Sequence, residues 1–452
     1  MEVWALLHSH TSTRSYMSAN LRTRLQRLRV QKVKRELPPW LPTEIVAQRR
    51  EQTLTQKREQ ADRAILPGHE VTTPRGAFQL IENRYPLDFV HGPLTLDDAF
   101  TRDPATAAQL ARNDSLASAD LRSLAFIDTE TTGLAGGAGT LAFLVGVGVC
   151  DGDDFILRQY FLRDPAEEDA LLTALVNDLA DYTGWVTFNG KSFDLPLLET
   201  RLTLNRQRGA LGTRPHLDLL MPARRLYRGR LESCSLGTLE QHILHLTREQ
   251  DDVPGALIPQ MYLDYLRTHD AHEMRRVIYH NAIDILSMVT LMGYMLEVFG
   301  ERFKIQDSNL KPQAPNPNLQ AEDLLRLAQW HDDNGRLPEA EAAYQHALKG
   351  KLNLEMRAVG LERFAALLKR QHRRAEAVLL WEQWASFTLD NPQPFIELAK
   401  FYEWHARDMT AAQTWAGRAL KIVSGWPKGW KREEATSDLK KRQDRLKAKT
   451  AC

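Results

Sequence analysis

The ten residues LAFLVGVGVC, 141–150, carry no charged side chain. A strand with one wet face alternates apolar and polar residues, so a run without alternation is covered on both sides. It belongs in the middle of a sheet, with further layers above and below. It is also too short to cross a bilayer. Shorter runs surround it: 124–127 leads into Asp128, 155–162 makes a third strand, 185–188 a fourth and 216–220 a fifth. Helical spacing fills 165–182, with acids in its first turn where the helix dipole favours them, and 195–204. After 220 only helical patterns follow. The last is predicted to start at a cap on Asp270, to close a capping box with Glu273, and to run to Gly300. Strands first, then strands alternating with helices, predict an α/β domain over 120–304: a mixed sheet flanked by helices.

A chain of 452 residues exceeds one ordinary core. Upstream, 66–119 holds short β-like runs punctuated by Pro and Gly, and reads as a small β-rich extension of the same domain. The first 65 residues read as polar, basic and partly helical, with Leu21, Leu25 and Leu28 on one face and Pro38-Pro39 ending the helix. Downstream, 305–320 reads as a Pro- and Asn-rich linker. Over 321–424 a pattern recurs: Ala340, Tyr344, Ala347 and Leu348; then Ala377, Trp381 and Ala385; then Ala412, Trp415, Ala419 and Leu420. From Ala340 to Ala377 is 37 positions and from Ala377 to Ala412 is 35, close to the 34 of tetratricopeptide repeats. An ordinary helical bundle would use the same residues. Either way the segment reads as an all-α interaction module, a site for a protein partner.

Net charge is +1, so the whole chain carries no strong field. Its ends differ from the rest: 21–63 has twelve Lys/Arg against five Asp/Glu, and the tail 425–452 has nine against four. Such arms suit a polyanion, and solvated helical faces explain them equally. Three cysteines, far apart, exclude a disulfide framework and a Cys-rich zinc site. The N-terminus lacks the pattern of a secretion signal, so a cytoplasmic protein without a membrane partner is expected.

The stretch FNGKSFDLPLL, 188–198, contains Gly-Lys-Ser, the end of a phosphate-binding P-loop. That loop needs a glycine five positions before its last Gly, where this chain has Trp185. A tryptophan cannot serve where backbone N–H groups must wrap an anion, so the residue of interest becomes Asp194. Asp194 follows the fourth strand, at the edge where open sheets keep their sites, although a helix cap is the plainer role for it. Asp128 and Glu130, two apart on a strand, project from one face. His280 and Asp284, four apart, share a helix face. Asp284 lies among Ile278, Ile283, Ile285, Leu286 and Met288, where a carboxylate is costly unless paired, protonated or metal-bound.

Taken in order, FIDTETTGL, FNGKSFDLPLL and YHNAIDILSM resemble the three exonuclease motifs of the DEDD superfamily, whose fold is ribonuclease-H-like. The intervening HLDLLMPARRLY, CSLGTLEQHIL and DDVPGALIPQMYLDYL are similar to its YprB-type branch. The resemblance covers about 66–299. It implies 3′-to-5′ removal of nucleotides from single-stranded DNA or RNA ends, using two Mg²⁺ or Mn²⁺ ions about 4 Å apart. Asp128 would bridge both ions, Glu130 and Asp284 would complete one site, and Asp194 would hold the other largely through water. Thr129, Leu134, Asn189, Lys191 and Phe193 would contact the substrate. The family's general base is a Tyr four before the last Asp or a His five before it. Here His280 is four before and Tyr279 five before, so the types are exchanged. Helical geometry puts His280 on the Asp284 face, and an imidazole suits activation of water. Two other readings share these residues: a nucleic-acid-binding scaffold with a silent nuclease fold, and an endonuclease of the ribonuclease H or resolvase type.

Overall fold

The protein's structure, a computed structural model, describes residues 65–133, 139–207, 209, 211–248, 252–300 and 319–451. The basic N-terminal segment and the linker lie outside the described residues, apart from their last one or two positions. Residues from Leu66 onward form one compact unit.

The first elements are β1 (His69–Thr73), β2 (Gly76–Pro86), β3 (Val90–His91), β4 (Leu94–Thr95), α1 (Leu96–Phe100) and α2 (Pro104–Ala111). Next come β5 (Leu124–Thr131), β6 (Ala142–Asp151), β7 (Asp154–Phe161), α3 (Glu168–Asp178), β8 (Gly184–Thr187) and α4 (Asp194–Leu204). The domain closes with β9 (His216–Asp218), α5 (Leu220–Tyr227), α6 (Leu236–His242), α7 (Ile258–Thr268) and α8 (His272–Gly300). Seven strands make one sheet in the order β1-β2-β7-β6-β5-β8-β9. β8 runs parallel to β5 and β9 parallel to β8; the other neighbours are antiparallel. This is the mixed, helix-flanked, ribonuclease-H-like sheet expected, with the β1–β2 hairpin added at the β7 edge.

Alternation along β5 feeds two apolar layers. Leu124 and Phe126 enter one and Ala125 and Ile127 the other. The uncharged run on β6 is buried on both faces up to Val149. α8 is long and apolar enough to cross a membrane by composition, but 83% of its most apolar window is buried inside the fold, as suits a core helix. Asp270 caps its start by accepting from the His272 N–H at 3.0 Å. Glu273 is engaged with Arg276 at 2.7 Å.

The extension carries two helices besides its strands. Thr95 and Asp98 form a reciprocal capping box at α1, and Asp103 caps α2 with Pro104 in the first turn. The β reading of this segment weighed the Gly and Pro turns and passed over these start signals.

The C-terminal part is all helical: α9 (Ala321–Asp333), α10 (Leu337–Lys349), α11 (Leu354–Arg370), α12 (Arg374–Ala385), α13 (Gln393–Phe401), α14 (Met409–Ser424) and α15 (Trp430–Ala451). Successive helices pack as pairs, α9 on α10, α11 on α12 and α13 on α14. The recurring Ala340, Ala347, Ala377, Ala412 and Ala419 all lie on the second helix of a pair and are fully buried, where small side chains let helices approach. Arg230, just past α5, is paired to buried Asp323 of α9 at 2.7 Å, and Phe299 of α8 meets Trp330 of α9 edge to face. The basic tail is therefore no free arm. It is α15, packed on α14, and its Arg442, Arg445 and Lys449 converge on the buried carboxylate of Glu403. A count of charges along the sequence cannot see that distant partner.

Candidate active site

β5, β8 and β9 run in one direction, so their C-terminal ends share an edge of the sheet. Asp128 and Glu130 leave β5 there, opposite Gly146 and Leu144 of β6, and the register shifts immediately after Glu130. Such a shift re-aims the side chains beside it. α8 crosses this edge. Its Asn281 Nδ2 donates to Asp128 Oδ2 at 2.8 Å, while Gln159 Nε2 of β7 donates to Asn281 Oδ1 at 2.8 Å. A Cβ on Gly146 would lie 2.3 Å from Asn281 Oδ1, so only glycine leaves room for this bridge.

One turn of α8 carries His280 and Asp284. With Glu130 they form a group whose ligand atoms all lie within 4.8 Å of one another, a composition able to hold a metal ion. His280 Nε2 stands 3.6 Å from Asp284 Oδ2 and 4.0 Å from Glu130 Oε1. Its Nδ1 lies 2.7 Å from Asp252 Oδ1 and 3.0 Å from Arg248 Nη1. Arginine can only donate and an ionised carboxylate can only accept, so the shorter contact assigns the proton to Nδ1. Nε2 then faces the carboxylates. Tyr279 is half-buried and sits about 100° round the helix from His280.

Asp194 is the first residue of α4, buried, and accepts from the Thr129 hydroxyl of β5. The residue in the capping position is Phe193, so Asp194 is not the helix cap. Thr129 is itself buried and is used in holding Asp194. Asn189 and Lys191 are on the turn before α4, both exposed, and Phe193 is half-buried. That turn is organised from within. The N–H groups of Asn189 and Lys191 donate to the two carboxylate oxygens of Asp218, at 2.9 and 3.0 Å. The N–H groups that a P-loop would offer to phosphate are thus spent on a side chain. Leu134 lies outside the described residues.

Burial first, then the charges of Asp284 and Asp194, hold Asp128 well above the usual carboxylate range. Glu130 is raised well above it by burial and by its acidic neighbours. Burial lifts Asp194 to about 6 against the opposing Thr129 hydrogen bond, and it raises Asp284 against the nearby His280 and Arg248. Four acids that repel one another in a largely buried site are the electrostatic complement of a cation. Arg248 partly fills that role: Glu240 grips its fork at 2.6 and 2.7 Å, and Nη2 reaches Asp284. Burial works against the guanidinium charge, but these carboxylates raise its affinity for the proton overall.

Sequence reading missed Gly146, Gln159, Asp218, Glu240, Arg248, Asp252 and Asn281. Asp218, Glu240, Asp252 and Asn281 stand inside the quoted segments HLDLLMPARRLY, CSLGTLEQHIL, DDVPGALIPQMYLDYL and YHNAIDILSM, but nothing in the chain order says what they touch.

The sequence model of a family described as the RNase_H superfamily matches residues 125–296. The uncharacterized protein YprB of Bacillus subtilis (strain 168) is 30% identical over 353 residues, 76% of this chain and 78% of that protein.

Proposed function

The chain belongs to the YprB family within the ribonuclease H superfamily, and we propose that it is a metal-dependent 3′-to-5′ exonuclease acting on single-stranded ends of DNA or RNA. The observation that carries this reading is the convergence of Asp128, Glu130, Asp194 and Asp284 on one sheet edge with His280 Nε2 facing them. These four carboxylates would hold two divalent ions; oxygen donors suit Mg²⁺ or Mn²⁺. When bound, the ions would supply positive charge to the attacking and leaving oxygens of an in-line displacement at phosphorus.

The chain's own groups do the rest. His280 Nε2 takes the proton from the attacking water, and Asp252 holds the ring through Nδ1 and balances the charge it acquires. Asn281, fixed by Gln159, keeps the Asp128 carboxylate aimed at the site. Thr129 does the same for Asp194. Arg248, tied to Glu240, would have to release Asp284 for that carboxylate to hold an ion, and would then be left with a free donor edge for phosphate. Asn189, Lys191 and Phe193 stand on the rim for the terminal nucleotides. The paired C-terminal helices act as a tetratricopeptide-like docking module for a protein partner in the cytoplasm.

The Arg248–Asp284 pair also suits a second reading, in which the arginine neutralises a silent site and the protein is a nucleic-acid-binding scaffold. Linear and circular single-stranded oligomers, DNA and RNA, incubated with Mn²⁺, Mg²⁺ or EDTA separate the readings. Stepwise shortening of linear strands only, and only with metal, supports the exonuclease. Cleaved circles would indicate an endonuclease, and binding without cleavage the scaffold.

A further inference from the structure

Where the C-terminal helices meet the nuclease domain there is an open cleft of about 570 Å³, lined by Arg224, Arg225 and Arg228 in and just after α5 and by Arg326 and Asp333 of α9. Among the described residues, none of these four arginines forms an ion pair with a carboxylate. The one acid in the lining, Asp333, is paired elsewhere, to Arg363 at 3.2 Å. Arg326 Nε is buried without a hydrogen-bond partner. Arg224 and Arg228, one turn apart, are exposed on one side of α5, where like charges repel. The charged form of Arg225 is disfavoured, by burial first and then by the nearby Arg112, with Asp333 opposing. Other half-buried arginines of this fold face a carboxylate: Arg201 with Glu168, Arg230 with Asp323, Arg248 with Glu240 and Arg373 with Glu341. The cleft gathers four arginines with no such partner, and an external anion would supply one.

We propose that this cleft binds the phosphodiester backbone of the nucleic-acid strand, some nucleotides away from the end being processed. The proposal rests on the nucleic-acid part of the functional reading and not on cleavage. Planar guanidinium forks suit successive phosphates, and arginines spread over two helices suit an extended polyanion better than a compact one. The position fits as well. α5 starts two residues after Asp218, which organises the turn at the active-site edge. Its eight residues rise about 12 Å, so Arg224 and Arg225 lie within that distance of the edge, a span of a few nucleotides.

The test is a binding titration in EDTA, with a fluorescent single strand of about 20 nucleotides over a range of salt concentrations. The full-length protein is compared with Arg224→Gln/Arg228→Gln and with Arg224→Lys/Arg228→Lys. The Gln variant should bind on the order of 10-fold more weakly at low salt. Its slope of log K against log salt should shrink by about 1.4, at about 0.7 for each single-strand phosphate left without its arginine. The Lys variant should keep the wild-type slope. Equal affinity and slope in the Gln variant and wild type, at equal melting temperature, overturn the proposal. So does tripolyphosphate binding that the Gln change abolishes while oligonucleotide affinity stays equal, since the cleft then serves a free phosphate compound. An inactive nuclease would leave this comparison intact, so the two readings fail separately.

Discussion

His280 illustrates how one hydrogen bond sets a chemical role. With its Nδ1 held by Asp252, its Nε2 faces the carboxylate cluster, where we propose that it acts as the base. His280→Ala should lower kcat by about 10²-fold or more and leave the Mn²⁺-induced rise in melting temperature largely in place, with partial rescue at higher pH. Tyr279→Phe should be nearly silent in the same assay; a dead Phe variant beside an active Ala variant would make the tyrosine the base. Gly146 gives a second test. Gly146→Ala places a methyl group 2.3 Å from Asn281 Oδ1, which must move and release Asp128. A drop of about 1–3 kcal/mol in denaturant stability, with a larger proportional fall in activity, is expected. Wild-type activity in a folded Ala variant would show that the Asn281 bridge does not matter. Asp128, Glu130 and Asp284 were legible in the sequence because each has a partner within its own element, two apart on β5 or one turn apart with His280 on α8; Asp194 was legible from its place just after a strand. Their supports were not, because Gln159, Asp218, Arg248 and Asp252 reach the site from segments whose meeting depends on the whole fold.

Whole elements are held to each other by neutral histidines as well as by apolar layers. His91 of β3 meets Ser287 of α8 at 2.9 Å, and His216 of β9 meets Thr187 of β8 at 2.8 Å. Burial pushes both imidazoles down to about 4. The unfolded chain therefore binds more protons than the native one below the ordinary value of about 6.5. The stability tied to these rings is fully present above pH 6.5 and is lost as pH falls through about 4. Each should account for about 1–2 kcal/mol of that decline between about pH 7 and 5. The raised acids of the active site act in the opposite sense, so the useful comparison is between wild type and His91→Gln. The urea midpoint should fall less on acidification in the variant; equal falls would show that His91 does not carry this pH dependence. At this scale β6 could be read directly, because burial on both faces leaves its mark on every residue of the run. α1 and α2 could not be read from turn residues alone, since their signal lies in the Thr95 and Asp103 caps.

On the scale of the molecule, the C-terminal helices are continuous with the nuclease domain: one apolar layer runs from the sheet through Phe299 into Leu327 and Trp330. Arg230 and Asp323 are the charged part of that contact, with the carboxylate fully buried. Arg230→Ala would strand Asp323 and should cost about 3–5 kcal/mol. Limited proteolysis should then cut near the junction before either part is degraded; an unchanged digestion pattern would show that the apolar layer suffices. The all-helical character of this part could be read from the recurring alanines, whereas its seating on α5 and α8 could not, because the repeat pattern describes only how helices pack on one another. In the proposed function, one acid cluster carries out metal-dependent hydrolysis at a strand end. The direct measurement is turnover of a 5′-labelled single strand in Mn²⁺, wild type against Asp128→Asn. The wild type should give a ladder shortening by one nucleotide at a time that EDTA abolishes, and Asp128→Asn should be slower by at least about 10³-fold while still binding the strand. Equal rates in the two proteins, or no metal-dependent shortening by the wild type, would contradict it.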